Sequence, residues 1–242
     1  MTSYTASQYE DNYPAGFEDY FWIAARNAVI HDMIVSAGMA HLRLMEVGCG
    51  RGIVVDFLRQ RGVDCLGCEL AEAPVPPALA PYVRTGTDAA LLEEPLRRSI
   101  DGLLLLDVIE HVDDAPAFIV RLSDAFPHAE VLLVTVPAHP ELWSNWDDHY
   151  GHFRRYTKAA LVPCITAAGF LPQRVTSFFL SLYAPMRLMS LLRRQRGTQQ
   201  AAPKNRALHA AIAGFFRWEA RLLPDTGLGT SLAVIAVKRR QG

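Results

Sequence analysis

The sequence predicts an α/β protein built on a seven-stranded, mostly parallel, doubly wound sheet. Two patterns favour this fold class. Short apolar runs alternate along the chain with segments of helical periodicity, which is the order that strand–helix–strand units need. Gly102 is followed by four leucines, a run typical of a central strand buried on both faces. The 242 residues, 50% of them hydrophobic, are expected to form a single domain over residues 1–242.

The elements of the first half follow from this alternation. Residues 1–40 are predicted to be an N-terminal helical segment, in which residues 20–37 have helical periodicity and Gly38 marks the end. A helix is also predicted over residues 53–60, and strands over residues 42–47, 64–70, 82–85 and 102–106. The glycines between the first strand and the second helix indicate a tight turn.

The second half repeats the pattern and adds two irregular parts. Helices are predicted over residues 115–125 and 158–168, and strands over residues 131–136, 170–179 and 231–238. Residues 138–157 have no periodicity, so we expect a loop at the carboxyl end of the fifth strand, where doubly wound sheets bind ligands. Residues 180–225 are expected to be a helical insertion or lid. Its predicted parts are helices over residues 183–194 and 207–222 and a mobile loop over residues 197–205.

Charge and composition exclude several classes of protein. A net charge of -1 provides no electrostatic basis for a nucleic-acid partner. Residues 1–12 lack the features of a signal peptide, and no uninterrupted apolar run reaches the roughly 18 residues of a membrane span. We therefore expect a cytoplasmic protein without stable membrane insertion. Of the four cysteines, Cys65 and Cys68 lie inside a predicted strand, which favours buried thiols over a disulfide, redox or zinc role.

A glycine-rich turn follows the first predicted strand. Gly48, Gly50 and Gly52 allow the backbone to approach a ligand closely and direct the next helix N-terminus toward it. The dinucleotide fingerprint requires a glycine where this chain has Ile53, and no Gly-Lys-Ser/Thr closes a phosphate-binding loop. The turn therefore suits a nucleotide-like cofactor that is neither a dinucleotide nor a nucleoside triphosphate.

Two acidic residues follow the next two predicted strands. Glu69 lies at the end of the second strand, where a carboxylate can accept hydrogen bonds from both ribose hydroxyls of a cofactor. Its separation from the glycine turn is close to the roughly 20 residues that dinucleotide folds use for the same task. Asp88, after the third strand, is placed to accept from an adenine amino group.

Several motifs together resemble a known family. Residues 46–52 read Glu-Val-Gly-Cys-Gly-Arg-Gly, and residues 107–111 read Asp-Val-Ile-Glu-His. Residues 20–22 with Arg26, and the Gly-His-Phe-Arg-Arg-Tyr of residues 151–156, belong to the same resemblance. The chain thus resembles the class I methyltransferases, and more narrowly their bacterial branch with E-V-G-C-G-x-G and D-V-x-E-H motifs, over roughly residues 17–240.

This resemblance implies S-adenosylmethionine as the cofactor and a last strand that runs antiparallel between strands five and six. It also implies a set of cofactor-binding residues: Arg26, Glu46, Gly48, Cys49, Gly50, Gly52, Glu69, Leu70, Asp88, Asp107 and Val108. In the family pattern the motif from Glu46 to Gly52 lines the methionine part. Asp107 and its neighbours border the sulfonium, and Arg26 reaches the cofactor carboxylate.

Other side chains are candidates for chemistry and acceptor binding. Three histidines are positioned as possible general bases, namely His111, His149 and His152. The walls of the acceptor pocket are predicted to be aromatic side chains of the 138–157 segment together with one from the N-terminal helix. These residues are Trp22, Trp143, Trp146, Tyr150 and Tyr156. The spacing of Asp147, Asp148 and His152 matches no known metal site, so no metal is predicted.

The sequence therefore predicts an S-adenosylmethionine-dependent methyltransferase that acts on an oxygen, nitrogen or carbon nucleophile of a small-molecule acceptor by in-line transfer. Two alternatives stay open: a lipid- or glycan-linked acceptor at the membrane surface, and a non-catalytic cofactor-binding scaffold. Arg193, Arg194 and Arg196 beside the apolar insertion suggest the membrane alternative. A homodimer contact through the insertion is also possible.

Overall fold

The computed structural model describes residues 16–192, 194–195, 197 and 203–239. Within these residues, seven strands form one sheet: β1 (Leu44–Val47), β2 (Cys65–Cys68), β3 (Val83–Arg84), β4 (Gly102–Leu106), β5 (Val131–Pro137), β6 (Phe170–Phe178) and β7 (Ser231–Lys238). Their order is β3-β2-β1-β4-β5-β7-β6. The first five strands pair in parallel, and β7 runs antiparallel to both β5 and β6. The predicted fold class is confirmed, including the place of the antiparallel strand.

The described α-helices are α1 (Phe21–Ser36), α2 (Ile53–Arg59), α3 (Glu94–Arg98), α4 (Ala115–Ala125), α5 (Asn145–Tyr150), α6 (Lys158–Ala167), α7 (Tyr183–Leu191) and α8 (Arg206–Leu222). The periodicity in the sequence predicted all of them except the short helices α3 and α5. Most of the predicted mobile loop over residues 197–205, together with Arg193 and Arg196, lies outside the described residues. No helix among the described residues is long and apolar enough to cross a membrane.

The alternation of side chains along β4 explains why helices cover both faces of the sheet. Leu103 and Leu105 pack in one apolar cluster with α4 and α6, whereas Leu104 and Leu106 pack in the other with α1, α2 and α8. All four leucines are buried. Because burying a leucine side chain contributes roughly 1.5–3 kcal/mol, this strand strongly favours a sheet covered on two sides.

The prediction of an unbroken loop over residues 138–157 is wrong. A short helix, α5, lies inside it, and its first turn is a capping box in which Ser144 and Asp147 bond each other's backbone N–H groups. The helix ends at Gly151 in the left-handed conformation (φ 68°). Six residues are too few for a helical period to appear in the sequence, so only the Ser-x-x-Asp pattern indicated it.

The helical insertion is joined to the N-terminal helix by an ionic contact. Asp32 of α1 accepts from the guanidinium groups of Arg217 and Arg221 of α8, at 2.6–2.9 Å. Glu219, on the buried side of α8, accepts from the backbone N–H of Ser181 at 2.9 Å. These bonds hold α8 against α1 and against the segment that follows β6.

Candidate active site

A cavity of about 710 Å³ opens at the carboxyl ends of the parallel strands. Its walls come from α1, the turns after β1, β2 and β4, helix α5 and helix α7 of the insertion. Doubly wound sheets bind ligands at this edge, where the order of strands changes direction. The sequence-predicted site residues that line the cavity are Trp22, Arg26, Glu46, Gly48, Cys49, Gly50, Glu69, Leu70, Asp107, Val108, His111, Trp146, Tyr150 and His152.

The glycine turn after β1 forms one wall. Gly48 has a φ of +81°, and a Cβ placed there would lie 2.8 Å from Cγ2 of Val108. Any side chain at this position would therefore be strained and would clash with the turn after β4. Gly52 also has a positive φ, but its missing side chain leaves room for Val83, and it does not line the cavity. Gly52 is thus a packing residue at the start of α2, unlike its predicted role.

The Glu69 carboxylate connects the end of β2 to the glycine turn. Its Oε2 accepts from the backbone N–H of Gly50 at 2.9 Å, and its Oε1 accepts from the backbone N–H of Ala71 at 3.1 Å. A carboxylate has about four lone-pair sites, so each oxygen retains capacity for a further donor. The side chain is therefore fixed at the cavity wall and still able to accept hydrogen bonds from a ligand.

An ion pair between a buried arginine and a half-buried aspartate lies at the cavity wall. Arg26 Nε is 2.7 Å from Oδ2 of Asp107, and Thr135 Oγ1 donates to Oδ1 of the same carboxylate at 3.1 Å. Asp107 has a φ of +57°, a left-handed conformation that non-glycine residues rarely adopt. The two side-chain bonds hold this strained residue, so its carboxylate faces the cavity in one orientation.

Glu46 lies beside this pair at the bottom of the cavity. It is 3% exposed, and its Oε2 has no hydrogen-bond partner among the described residues. Burial raises the pKa of Glu46 to about 8, with Arg26 opposing that rise and Glu69 adding to it. The carboxyl group is therefore mostly protonated at neutral pH in the ligand-free protein.

Two of the three candidate histidines meet in the cavity. The ring centroids of His111 and His152 are 4.7 Å apart, and the two rings are arranged edge to face. His152 Nδ1 is 2.9 Å from Oδ1 of Asp147, whose carboxylate is fully buried. The guanidinium group of Arg155 donates to both oxygens of the same carboxylate. Burial, followed by the neighbouring His152, lowers the pKa of His111 to about 4, so the His111 ring is neutral at physiological pH.

Glu110 is a cavity residue that the sequence analysis did not select. Its side chain is completely buried, and neither carboxylate oxygen has a hydrogen-bond partner among the described residues. Burial raises its pKa well above the ordinary value, and the nearby Asp107 raises it further. The only sequence signal was its position in the Asp-Val-Ile-Glu-His motif, because a missing partner is a tertiary property.

Four other predicted site residues lie outside the cavity wall. Asp88 accepts from the backbone N–H of Ala90 and pairs with Arg121 at 2.7 Å, so its carboxylate caps a turn. Trp143 donates to Asp148 and lines a smaller cavity of about 270 Å³. The remaining two are His149, which is exposed, and Tyr156, which is buried in the core and donates to a backbone carbonyl. The side chains of these four residues therefore point away from the cavity that the other predicted residues line.

The insertion supplies wall residues that the sequence did not single out for the site. Pro185, Met186 and Met189 of α7 line the cavity, together with Leu182 just before that helix. Phe17, Tyr20 and Phe21 contribute aromatic surface from the N-terminal segment. The cavity wall therefore combines apolar and aromatic side chains from α7 and the N-terminal segment with charged side chains such as Arg26, Glu46 and Glu69.

Comparison with known proteins gives a consistent result. A family model described as a methyltransferase domain matches residues 21–173. The ubiquinone biosynthesis O-methyltransferase of Pseudomonas aeruginosa (strain UCBPP-PA14) is 28% identical over 116 residues, 44% of this chain and 50% of that protein. The corresponding enzyme of Pseudomonas entomophila (strain L48) is 28% identical over 114 residues, 43% of this chain and 49% of that protein. The chain thus spans about half the length of these curated relatives.

Solved structures share the fold. Burkholderia thailandensis 1,6-didemethyltoxoflavin-N1-methyltransferase superposes with a TM-score of 0.57 and 16% identity, covering 97% of this chain and 85% of that one. Haemonchus contortus phosphoethanolamine N-methyltransferase 2 gives a TM-score of 0.56 and 15% identity, covering 98% and 60%. Because the family model matches more than half of the chain and the fold and motifs agree with it, this protein belongs to the methyltransferase domain family, as its sequence motifs predicted.

Proposed function

We propose that this protein is an S-adenosylmethionine-dependent methyltransferase that acts on an oxygen, nitrogen or carbon nucleophile of a small-molecule acceptor. The observation that carries the proposal is the Glu69 carboxylate, which is bonded to the Gly50 N–H at the wall of a deep cavity. Membership of the methyltransferase family and the names of the curated relatives support the same reaction class. The two alternatives, a membrane-surface acceptor and a non-catalytic scaffold, receive no support from these comparisons.

The charged end of the cavity fits the amino-acid part of this cofactor. An α-amino acid carries an ammonium and a carboxylate group, and it needs partners of both signs. Glu46 offers a buried acceptor atom without a partner, and Arg26 offers a guanidinium group at the same end of the cavity. Since an unpaired buried carboxyl group is costly, binding an ammonium group here would be favourable.

The wall formed by Glu69 and Leu70 fits the nucleoside part. Glu69 retains lone pairs for the two ribose hydroxyls after its bonds to Gly50 and Ala71. Leu70 is 40% exposed at the end of β2, which leaves an apolar surface for the face of a base. Asp88 is occupied by Arg121, so we assign adenine recognition to this apolar surface and not to the Asp88 carboxylate.

The protein's part in the reaction is alignment. The bound cofactor supplies an electrophilic methyl group on a sulfonium centre. Asp107 and Val108 line the cavity, and we assign them to the border of the sulfonium centre. Of the three predicted bases, only His111 and His152 line the cavity, so we place the reacting atom of the acceptor beside this pair.

The apolar end is the proposed acceptor pocket. Trp22, Trp146 and Tyr150 form its aromatic walls, and Met186 and Met189 of α7 close it from the side of the insertion. Methionine side chains adapt to planar and irregular ligands, and the mixed wall suits an aromatic acceptor with few charges. We propose that α7 acts as a lid. The cytoplasmic location and a homodimer contact stay predictions.

Binding of S-adenosylhomocysteine tests the proposal. Calorimetry with the full chain should show one binding site, and Glu69→Gln should weaken binding by at least about tenfold, because the amide loses two charge-assisted hydrogen bonds. The matched control is Glu72→Gln, a neighbouring exposed carboxylate whose binding should equal that of the wild type. The proposal would be wrong if well-folded wild-type protein bound no S-adenosylhomocysteine. Turnover is then measured with a panel of phenols and amines.

A further inference from the structure

We propose that Glu110, His111 and His152 form a binding site for one divalent transition-metal ion at the acceptor end of the cavity. The candidate ligand atoms of these three side chains all lie within 4.8 Å of one another. Ligand atoms at about 2.1 Å from a tetrahedral ion are about 3.4 Å apart, so small side-chain rotations would complete the arrangement. The metal site is independent of the proposed function, whereas its role toward the acceptor depends on that function.

The fold brings the three ligands together from two separate segments. Glu110 and His111 lie in the 3-10 turn directly after β4, and His152 follows α5. The backbone N–H of Phe153 donates to the backbone carbonyl of Glu110 at 2.7 Å, which fixes the two segments against each other. Neither the sequence spacing nor one element alone indicated this cluster.

Glu110 provides the strongest argument for a cation. Its side chain is 0% exposed, and both carboxylate oxygens lack a hydrogen-bond partner among the described residues. A buried polar group without a partner is destabilising, and more so when it is charged. A metal ion bound between Glu110 and the two histidines would supply the partner that the described protein groups do not.

His152 is already oriented as a metal ligand. Its Nδ1 bonds the fully buried Asp147 at 2.9 Å, so its Nε2 is the atom that can bind an ion. Arg155 holds Asp147 through bonds of 2.7 and 3.0 Å. A carboxylate behind a ligating histidine is the usual second layer of protein zinc sites, because it fixes the tautomer and the direction of the ring.

The ligand set indicates which metal binds and what it does. Two imidazoles and one carboxylate suit Zn²⁺ and leave at least one coordination position open. All three residues line the cavity, so the open position faces the proposed acceptor pocket. A cation there would lower the pKa of an acceptor hydroxyl. The proton leaves to water, the oxygen forms a bond to the methyl carbon, and the electron pair of the broken C–S bond stays on sulfur.

Direct metal binding tests the site without reference to activity. The full chain is treated with chelator, dialysed and titrated with Zn²⁺ by calorimetry, and with Co²⁺ while its visible absorption is recorded. We expect one ion per chain and Co²⁺ bands typical of four or five ligands. Glu110→Gln and His152→Asn should each weaken Zn²⁺ binding at least about tenfold, as loss of one ligand does. His149→Ala, an exposed histidine at the end of α5, is the matched control and should bind as the wild type does.

Two outcomes would overturn the proposal: chelator-treated wild type that binds no Zn²⁺, or equal Zn²⁺ binding by the wild type and both ligand variants. Circular dichroism checks the fold of each variant, and either correctly folded ligand variant is sufficient for the comparison. S-adenosylhomocysteine binding is measured in parallel. Because the cofactor end of the cavity does not include the three ligands, the variants should retain that binding, and so the failure of the metal site is separable from failure of the proposed function.

Discussion

Glu46, at the end of β1, shows how one buried carboxyl group couples ligand binding to pH. Burial raises its pKa to about 8, so the ligand-free protein holds a proton there at neutral pH. Because the pKa of Glu46 is raised in the folded state, its protonated carboxyl group contributes fully to the free energy of unfolding below the ordinary pKa of 4.5. That contribution is lost progressively as the pH rises toward about 8.

Binding of S-adenosylhomocysteine should therefore release a proton from Glu46. The ammonium group of the ligand favours the carboxylate form, so affinity should increase between about pH 6.5 and about pH 8.5. Calorimetry at neutral pH in two buffers of different ionisation enthalpy measures the proton release. In Glu46→Gln this release should disappear, and that variant should be more stable than the wild type at about pH 9. Identical proton release by wild type and Glu46→Gln would contradict this assignment.

Site residues differ in how far the sequence predicted them. Glu69 was predicted at the end of β2, and it lines the cavity because strand ends of a parallel sheet meet at one edge. Tyr156 was predicted as a pocket wall, but it is buried and donates to the backbone carbonyl of Ile109. Glu110 was not selected, because its burial and its lack of partners depend on segments distant in the sequence.

The contact between α1 and α8 is an element-level feature with a measurable pH dependence. Burial alone would raise the pKa of Asp32, but the hydrogen bonds from Arg217 and Arg221 outweigh it and hold the pKa well below the ordinary 3.8. A lowered pKa in the folded state means that this contribution is present above about pH 4 and is lost as the pH falls further.

Replacing Asp32 by Asn should lower the free energy of unfolding by about 1 kcal/mol at neutral pH, a figure reduced for the partial exposure of both arginines. The difference from the wild type should shrink at about pH 3, because Asp32 of the unfolded chain takes up a proton below about pH 4 whereas the folded protein keeps the carboxylate ionised. Urea denaturation at the two pH values measures both effects. The control is Asp64→Asn, a more exposed carboxylate that also pairs with arginines and should cost less than about 0.5 kcal/mol. Equal losses at the two positions would argue against the special role of Asp32.

Among elements, length decided what the sequence could predict. Helices such as α4 and α6 have ten or more residues, which is enough for a periodic pattern. Helix α5 has six residues, and α3 has five, so neither produces one. For α5 this matters to function, because the helix turns Trp146 and Tyr150 into the cavity and leaves His149 exposed.

At the level of the whole molecule, the insertion is the part in which a change on ligand binding is expected. Helix α7 has no buried residue, although Pro185, Met186 and Met189 line the cavity. By contrast, six successive residues at the start of β7 are buried, and this strand is paired on both sides, with β5 and β6. A helix with few buried contacts opens at low free-energy cost, whereas a buried strand that is paired on both sides opens at a much higher cost.

Hydrogen exchange should detect this difference. Saturation with S-adenosylhomocysteine and an aromatic acceptor analogue should slow exchange of α7 amides by at least about tenfold, because the ligands close the cavity against that helix. Strand β7 serves as the internal reference and should change no more than the domain as a whole. If α7 exchange is the same with and without ligands, α7 is a fixed wall and not a lid.

The amino-acid sequence alone was sufficient to predict the sheet, the glycine-rich turn and the family, and the resemblance to that family implied the place of the antiparallel strand. These features depend on local patterns, namely strand hydrophobicity, glycines that tolerate positive φ, and motifs at strand ends. Tertiary structure was needed to decide which side chains of residues 138–157 face the cavity and to bring Glu110 and His111 beside His152. Side-chain direction in an irregular segment has no period in the sequence, and burial without a partner arises only when distant segments pack together.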